Sequence, residues 1–362
     1  MRSFGFLVFV FMTFVCWGIY GPTLHLGQEG MGAEGQKSSL RPFVCVGIAY
    51  FLIAVIYPLV VLFTKGEKGK WTSFGFVWSF VAGAVGAVGA LGIIMAFKFG
   101  GKPVYVMPLV FGCAPVVNTI VTMLMSRTAK QASMLFYLGV LIVAVGAAGV
   151  MYFKPMKTDK PNVETAMVLH AQDSAEVPEV DGTVGSTSSD EKKDSKYWLV
   201  ACSVAVTALC WGAYGPVLHR GQAQMDGSKL RPFLCVGLAY FAIAVVIPFF
   251  LMSSFPEPGP ESGSLWFNSG MTWSLLAGGA GAIGALGIIY AFNFGGKPIF
   301  VMPLVFGIAP VVNTFTEIVS KQLYGQVSQM FYLSLLLVIL GAMMVLVCAP
   351  RGKKPAAKPA AS

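Results

Sequence analysis

Two asparagine–threonine pairs are the polar residues best placed to bind a solute in this apolar chain. Asn118 and Thr119 occupy the same position of a repeated segment as Asn313 and Thr314. Amide and hydroxyl groups donate and accept hydrogen bonds without carrying a charge, so they favour a neutral or zwitterionic solute such as a sugar or an amino acid. The alternative is that both asparagines only hydrogen-bond to adjacent helices.

Two aromatic pairs are further candidates for substrate binding. Trp17 and Tyr20 precede a Gly-Pro dipeptide, as do Trp211 and Tyr214 in the second half. Rings in this position could stack on a sugar or on another planar solute. The alternative is that they belong to the belt of aromatic residues found where membrane helices meet water.

A third set of candidates is ionisable and is assigned to coupling or gating. Glu317 stands where the first half has Thr122, and Lys98 stands where the second half has Asn293. An ionisable group inside a membrane span is a functional hypothesis by default, although Glu317 could instead pair with Lys321 one turn later. The other members of the set flank the first two helices of each half: His25, His219, Arg41 and Arg231.

The ionisable members have plainer alternatives. Each histidine begins an HxGQ segment that we expect to form a turn. Each arginine precedes a proline at the start of a helix, where anchoring to lipid phosphate or capping of a neighbouring loop competes with gating or binding of an anion.

The residues required for enzymatic chemistry are missing from the predicted spans. They contain no paired carboxylates, no metal-binding cluster and no nucleophile beside a base. The seven cysteines form no CxxC pair and are expected to pack as small core residues. We therefore expect no enzyme activity, no cofactor and no metal.

Composition determines the solvent in which these residues act. The chain is 56% hydrophobic and 11% charged, against about 25% charged residues in a soluble domain. Its apolar runs approach the ~20 residues that cross a bilayer as a helix. The predicted runs are 4–22, 42–63, 74–97, 103–125, 132–153, 198–217, 232–252, 270–292, 298–320 and 329–348. The predicted fold class is an all-α integral membrane protein with ten transmembrane helices.

The ten runs belong to one unit that is used twice. Residues 101–119 return as residues 296–314 with sixteen of nineteen positions identical. The predicted domains are a first five-helix repeat over 1–153 and a second over 197–350. Because five is odd, the second repeat enters the membrane from the opposite side, which predicts an inverted topology.

The charged segments outside the helices predict the orientation. With the N-terminus inside, the inner segments hold fourteen Lys and Arg residues and the short outer loops hold five. Both termini are therefore expected in the cytoplasm, with the protein in a plasma membrane, taken to be the bacterial inner membrane. Residues 154–196 are predicted to be a disordered hydrophilic linker. The basic tail 351–362 would bind anionic lipid, which explains the charge of +9 without nucleic acid.

Glycine and proline distinguish the middle helices of each repeat. The third and eighth helices carry glycines at every third position, which allows close helix packing and could also line a solute pathway. The fourth and ninth helices contain Pro108 with Pro115 and Pro303 with Pro310. Proline removes a backbone donor, so each helix should be bent or broken near its second proline. Interrupted helices at matching positions are the best pointer to a transport site.

These features together resemble the drug/metabolite transporter superfamily. The resemblance rests on ten helices in two inverted repeats, a Trp-Gly near the end of the first helix, and Gly-rich and Pro-rich third and fourth helices. Within that superfamily the chain is similar to EamA-like permeases and to glucose/ribose and rhamnose uptake permeases. The resemblance implies secondary transport by alternating access, with a central cavity between the repeats.

The expected function is therefore that of a secondary active transporter, or permease, for a small polar metabolite. A channel, or a membrane scaffold or sensor that transports nothing, is the alternative. The expected partners are a small-molecule solute and membrane lipid. A coupling proton or cation and a homodimer are left open.

Overall fold

Ten long helices make up the computed structural model, which describes residues 5–155, 187–261, 263–296 and 298–350. The helices are α1 (Gly5–Gly30), α2 (Leu40–Thr64), α3 (Ser73–Lys98), α4 (Pro103–Ser126), α5 (Met134–Tyr152), α6 (Thr187–Gln224), α7 (Leu230–Ser254), α8 (Ser269–Asn293), α9 (Pro298–Ser320) and α10 (Gln329–Val347). All ten are long and apolar enough to cross a membrane. The described residues form no strand. The expected all-helical fold with ten candidate spans is confirmed.

The first helix of each repeat is longer than expected. α1 continues to Gly30 and α6 to Gln224, so His25 and His219 lie in helices and the predicted HxGQ turns are wrong. In α1 this segment is buried, and buried backbone groups need the hydrogen bonds that a helix supplies. The expected linker and tail lie largely outside the described residues, at 156–186 and 351–362, while α6 already begins at Thr187.

The second helix of each repeat contains a wide turn that the sequence analysis did not predict. α2 forms a π-helical turn at Leu52–Ile56, and α7 forms one at Ala242–Val246. Each turn is followed within two residues by a proline, Pro58 or Pro248. Because proline has no N–H, the regular ladder cannot continue through it, and the wider turn accommodates the missing bond.

The prolines of α4 and α9 do not interrupt their helices. α4 runs from Pro103 to Ser126 through Pro108 and Pro115, and α9 likewise continues through Pro303 and Pro310. The expectation of a broken helix is therefore wrong, whereas a bend is compatible with an unbroken helix. Each proline removes one backbone bond, but in an apolar environment a full break would leave several more groups without partners.

Helices of one repeat pack against helices of the other. α1 packs on α8 and α9 of the second half, and α6 packs in the equivalent way on α3 and α4 of the first half. α5 packs on α10. The extensive contacts of each first helix are thus made with the opposite repeat.

Matching hydrogen bonds join the first helix of each repeat to the third helix of the opposite repeat. Thr13 Oγ1 donates to the carbonyl of Gly284 at 3.1 Å, and Trp17 Nε1 donates to that of Gly281 at 3.2 Å. As the residue number rises along α1 it falls along α8, so these two helices run antiparallel. Thr207 and Trp211 of α6 donate to Gly89 and Gly86 of α3 at 3.2 Å each, which makes α6 and α3 antiparallel as well.

Two glutamates that the sequence analysis did not single out join the halves at their loops. The Glu257 carboxylate, after α7, accepts hydrogen bonds from Ser38 Oγ at 2.7 Å and from the backbone N–H groups of Ser39 and Leu40 at 3.0 Å. It therefore caps the N-terminus of α2, where free N–H groups attract an anion. Glu67, after α2, caps the start of α7 in the same way.

The Glu257 cap should depend on pH. Burial raises the pKa of Glu257, but hydrogen bonds from the start of α2 and the nearby Lys98 ammonium outweigh burial, so the pKa lies below its ordinary 4.5. The folded protein thus favours the charged form. The stabilisation is complete above the ordinary pKa and is lost as the pH falls through the lowered pKa of the folded state.

We expect Glu257→Gln to lower the free energy of unfolding at pH 7 by about 1–3 kcal/mol, since hydrogen bonds to a charged group are lost. Thermal unfolding of the full-length protein in detergent measures the effect. The gap between wild type and variant should narrow as the pH falls below 4.5 and should close once the pH is below the lowered pKa of the folded state. Glu261→Gln, on the same loop but exposed, is the matched control. Equal melting of both variants at pH 7 contradicts the cap.

Candidate functional site

A cavity of about 310 Å³ lies between the interlocked halves. Residues of both repeats contribute to its wall, and most of the large side chains are aromatic. The aromatic lining consists of Trp17, Tyr20, Tyr50, Phe111, Trp211, Tyr214, Tyr240, Phe292 and Phe306. The volume falls at the lower end of the range typical for ligand pockets, so the cavity suits a small organic molecule.

Equivalent residues of the two repeats meet each other at the cavity. Tyr50 stacks on Tyr240 with centroids 3.8 Å apart and an interplanar angle of 4°. Phe111 meets its counterpart Phe306 edge to face at 6.2 Å. None of these four residues stood out as a candidate in the sequence. The sequence feature that could have identified them is the repeat itself, because identical residues of two repeats that face one cavity can contact each other in pairs.

The regularly spaced glycines hold the tryptophans at the cavity. A Cβ atom on Gly89 would overlap the Trp211 indole, and one on Gly284 would overlap the Trp17 indole. One turn away, Gly86 and Gly281 accept the indole N–H bonds and also line the cavity. The glycines therefore serve close packing and form part of the cavity wall, the two roles that the sequence left open.

The two predicted asparagines occupy different environments. Asn118 lines the cavity, and its Nδ2 donates to the Gly212 carbonyl at 3.1 Å. Asn313 is fully buried outside the cavity lining, and its Nδ2 donates to the Pro103 carbonyl at 2.8 Å. Each asparagine thus bonds to a neighbouring helix, but only Asn118 also faces the cavity.

The neighbouring threonines do not line the cavity. Thr119 is buried and donates to the Pro115 carbonyl within its own helix at 2.9 Å. Thr314 is also buried, and its hydroxyl has no hydrogen-bond partner among the described residues. The structure therefore brings Asn118 and the four predicted aromatic residues together and leaves Thr119, Asn313 and Thr314 in the packing around them.

The cavity has an open end, which we define by His219, Gln222 and Lys229. All three residues line it. His219 is exposed and the other two are half-buried, so the cavity reaches the surface at this end. The opposite end, which we call the closed end, is defined by His25, Lys37 and Glu317, and none of these lines the cavity.

A chain of charged and polar groups covers the closed end. Lys37 Nζ lies 2.7 Å from Nε2 of the buried His25 and donates to the Phe97 carbonyl at 3.0 Å. An ammonium only donates, so Nε2 accepts and the ring proton lies on Nδ1. That nitrogen faces Glu29 at 3.3 Å, and Glu29 pairs in turn with Lys321 at 3.3 Å.

The side chain of Lys37 is more buried than is usual for a lysine. Burial lowers the pKa of its ammonium to about 8. Nearby carboxylates raise the pKa and nearby lysines lower it, but both effects are smaller than that of burial. A fraction of Lys37 is therefore uncharged slightly above neutral pH.

The remaining ionisable candidates lie in different parts of the fold. Glu317 is buried, and Lys321, its suggested partner, pairs with Glu29 instead. Lys98 lies 3.6 Å from the Glu257 carboxylate and thereby belongs to the cap of α2.

The two predicted arginines lie at the same caps. Arg41 donates to the Glu257 and Pro258 carbonyls, and Arg231 donates to the Glu67 carbonyl and pairs with its carboxylate at 3.7 Å. Both arginines thus bind a neighbouring loop. Neither of them lines the cavity.

The described residues contain no group of three or more histidine, cysteine or acidic side chains that could hold a metal ion. All seven cysteines are free thiols. The wall of the cavity offers aromatic rings, the Asn118 amide and the three polar side chains of the open end.

Comparisons with known proteins add little to this geometry. No family model matches the chain, and no curated protein matches it. Eight chains of solved structures match. One of these, described as "Crystal structure of protein", is 16% identical with a TM-score of 0.48, covering 97% of this chain and 100% of that chain. A similarity this distant carries no inference about fold or activity.

Two neighbouring glycines of α8 should respond differently to a methyl group. A Cβ on Gly284 would overlap the Trp17 ring, whereas one on Gly281 would meet Tyr20 at an ordinary 3.6 Å. We expect Gly284→Ala to destabilise the protein by about 1–3 kcal/mol through overpacking and Gly281→Ala to have little effect. Thermal unfolding in detergent, with tryptophan emission as a second readout, compares the two. Equal effects would show that the Trp17 contact is not tight.

Proposed function

We propose that this protein is a secondary active transporter that moves a small solute by alternating access between two inverted five-helix repeats. The drug/metabolite transporter superfamily is the proposed family. The observation that carries the proposal is the unequal exposure of equivalent residues at the two ends of a duplicated chain.

Four equivalent pairs illustrate this difference between the ends. Leu24, His25 and Gln28 are buried, with exposures of 0%, 5% and 0%. Their counterparts Leu218, His219 and Gln222 all line the cavity at the open end. Asn313 and Asn118 differ in the same sense. Local sequence is nearly the same in both halves, so one arrangement supports both an open and a closed end, and exchanging them would open the cavity to the other side.

The packing of the helices supports inversion of the second repeat. α1 and α3 are separated by one span, so they run in the same direction if each helix crosses the membrane. α8 is the counterpart of α3, yet it runs antiparallel to α1. On that condition the equivalent helices α3 and α8 point in opposite directions, as an inverted repeat requires. The Tyr50–Tyr240 stack agrees with an approximate two-fold axis that passes beside the cavity.

Unpartnered polar atoms support a closed end that can open. Among the described residues, the buried polar atoms without a hydrogen-bond partner near the closed end include Gln28 Oε1, Asn313 Oδ1, Thr314 Oγ1 and Glu317 Oε2, and others lie elsewhere in the fold. Each such atom costs roughly 1–3 kcal/mol in a protein interior. Opening this end to water would satisfy them, which lowers the free-energy difference between the two states. Glu317 remains our candidate for binding a coupling proton, and His25 a candidate for gating.

The proposed location is a plasma membrane, the bacterial inner membrane, with both termini in the cytoplasm. The excess of Lys and Arg in the corresponding loops supports this orientation. In it, the open end with Lys229 faces the cytoplasm, and the closed end with Lys37 faces outward.

A channel is the alternative function that the geometry disfavours. A channel needs a polar path through the whole membrane, whereas this cavity has an aromatic wall and ends before the buried cluster at His25. A scaffold would have no need for a cavity that is open at one end only.

Alternation can be tested at one matched pair of leucines. In a variant without native cysteines, Leu218→Cys should react with a polar thiol reagent in detergent, and Leu24→Cys should be protected. Lys37→Gln removes the ammonium contact to His25 and weakens the closed end. We therefore expect it to raise labelling at position 24 and to lower labelling at position 218. Labelling that rises at 24 without falling at 218 would contradict alternation.

Transport itself can be tested in proteoliposomes with labelled sugars, amino acids and organic acids, with and without a pH gradient. Asn118→Ala should reduce uptake of the transported solute about tenfold, the loss of roughly one hydrogen bond worth 1.4 kcal/mol. Thr122→Ala, one turn further along α4 and exposed, is the matched control. Uptake equal to that of empty liposomes for every solute class would count against the proposed function.

A further inference from the structure

One lysine at the open end has a side chain that takes no part in the cap of its helix. The backbone N–H of Lys229 donates to Glu67 Oε1 at 3.0 Å and so contributes to the cap of α7. In the first repeat the aligned residue is Ser39, whose N–H binds Glu257 in the same way. The cap therefore needs only the main chain at this position, and the lysine side chain is free to face the cavity, which it lines.

The ammonium group of Lys229 is held in place without being neutralised. It donates to Oδ1 of Asn293, the last residue of α8. Among the described residues it forms no ion pair. Two acids of the adjoining loops have other partners, since Glu67 binds the start of α7 and Arg231, and Asp226 pairs with Lys70 at 3.3 Å.

The residue at the end of the third helix of each repeat has a different partner in the two halves. The counterpart of Asn293 in the first repeat is Lys98, which pairs with Glu257 near the closed end. In the second repeat an amide oxygen takes this position and accepts from Lys229. The Ser39-to-Lys229 difference thus places a cation beside the open end, and the Lys98-to-Asn293 difference gives it an uncharged partner.

The other part of the cavity suits a planar ring. Trp17, Phe111, Trp211 and Phe306 form a continuous cluster with neighbouring centroids 6.1–6.5 Å apart. Aromatic rings attract a further ring in offset or edge-to-face geometry over similar distances. None of the described residues that line the cavity is acidic, so a cationic group on the solute would find no carboxylate to pair with there.

We propose that the solute is a small aromatic carboxylate, with its ring against the Trp17–Phe306 cluster and its carboxylate at Lys229. This inference rests on the proposed function, since it assigns a substrate class to the same cavity. An ammonium beside a low-dielectric wall attracts an anion more strongly than it would in water. An amine of the same shape is repelled there, and a neutral amide gains the ring contacts alone.

The test is binding to the full-length protein in detergent, measured by calorimetry. The probes are phenylacetate, phenylacetamide, phenethylamine and acetate, which separate the ring from the charge. We expect phenylacetate to bind at least about tenfold more tightly than any of the other three. Lys229→Gln should abolish this preference and Lys229→Arg should retain it, with unfolding temperatures like that of wild type.

Lys65→Gln, which removes an exposed charge near the same end, is the control and should leave phenylacetate affinity unchanged. Equal affinity for the acid and the amide, or an unchanged preference in Lys229→Gln, overturns the inference. If none of the four probes binds while the leucine pair still shows alternation, the substrate class is wrong and the proposed function stands. If alternation fails as well, the proposed function is wrong.

Discussion

The close contact between an indole of one repeat and a glycine-lined helix of the other is the constraint on which this fold depends. Trp17 and Trp211 approach α8 and α3 so closely that a methyl group on Gly284 or Gly89 would occupy the ring position. In an apolar environment helices gain little from burying apolar surface, so contact of this kind and hydrogen bonds to backbone carbonyls hold them together. For this reason α1 packs on helices of the second repeat and α6 on helices of the first. The cavity lies between these packed helices.

Charged groups in the loops also connect the two halves. Glu67 and Glu257 each bind the free N–H groups at the start of a helix in the opposite half, so both ends of the molecule are anchored alike. The ends differ in residues that the duplication did not preserve. Lys37 is aligned with Gly227 and Glu317 with Thr122, and both charged members lie at the closed end. The two ends thus share their anchors and differ in the charged residues beside them, and one end is closed while the other is open.

Sequence patterns predicted the helices well and their interruptions poorly. The ten apolar runs are all helical, because length and hydropathy are local properties. The prolines of α4 predicted a helix that is bent or broken near Pro115, and the break does not occur, since local rules omit the neighbouring helices that pack around a continuous helix. The wide turn before Pro58 was missed for a similar reason. Glu67 and Glu257 were missed because each acts on a helix more than 150 positions away.

The sequence by itself determined that the chain is a duplicated set of ten apolar helices with glycines at every third position of the third and eighth. It also named Asn118 and Asn313 together, and could not separate them, because the nineteen residues around them are nearly the same. Only the tertiary structure decided that Asn118 faces the cavity and Asn313 is buried. The reason is physical: two equal local sequences can differ in exposure only through their distant neighbours, and here those neighbours are packed differently at the two ends.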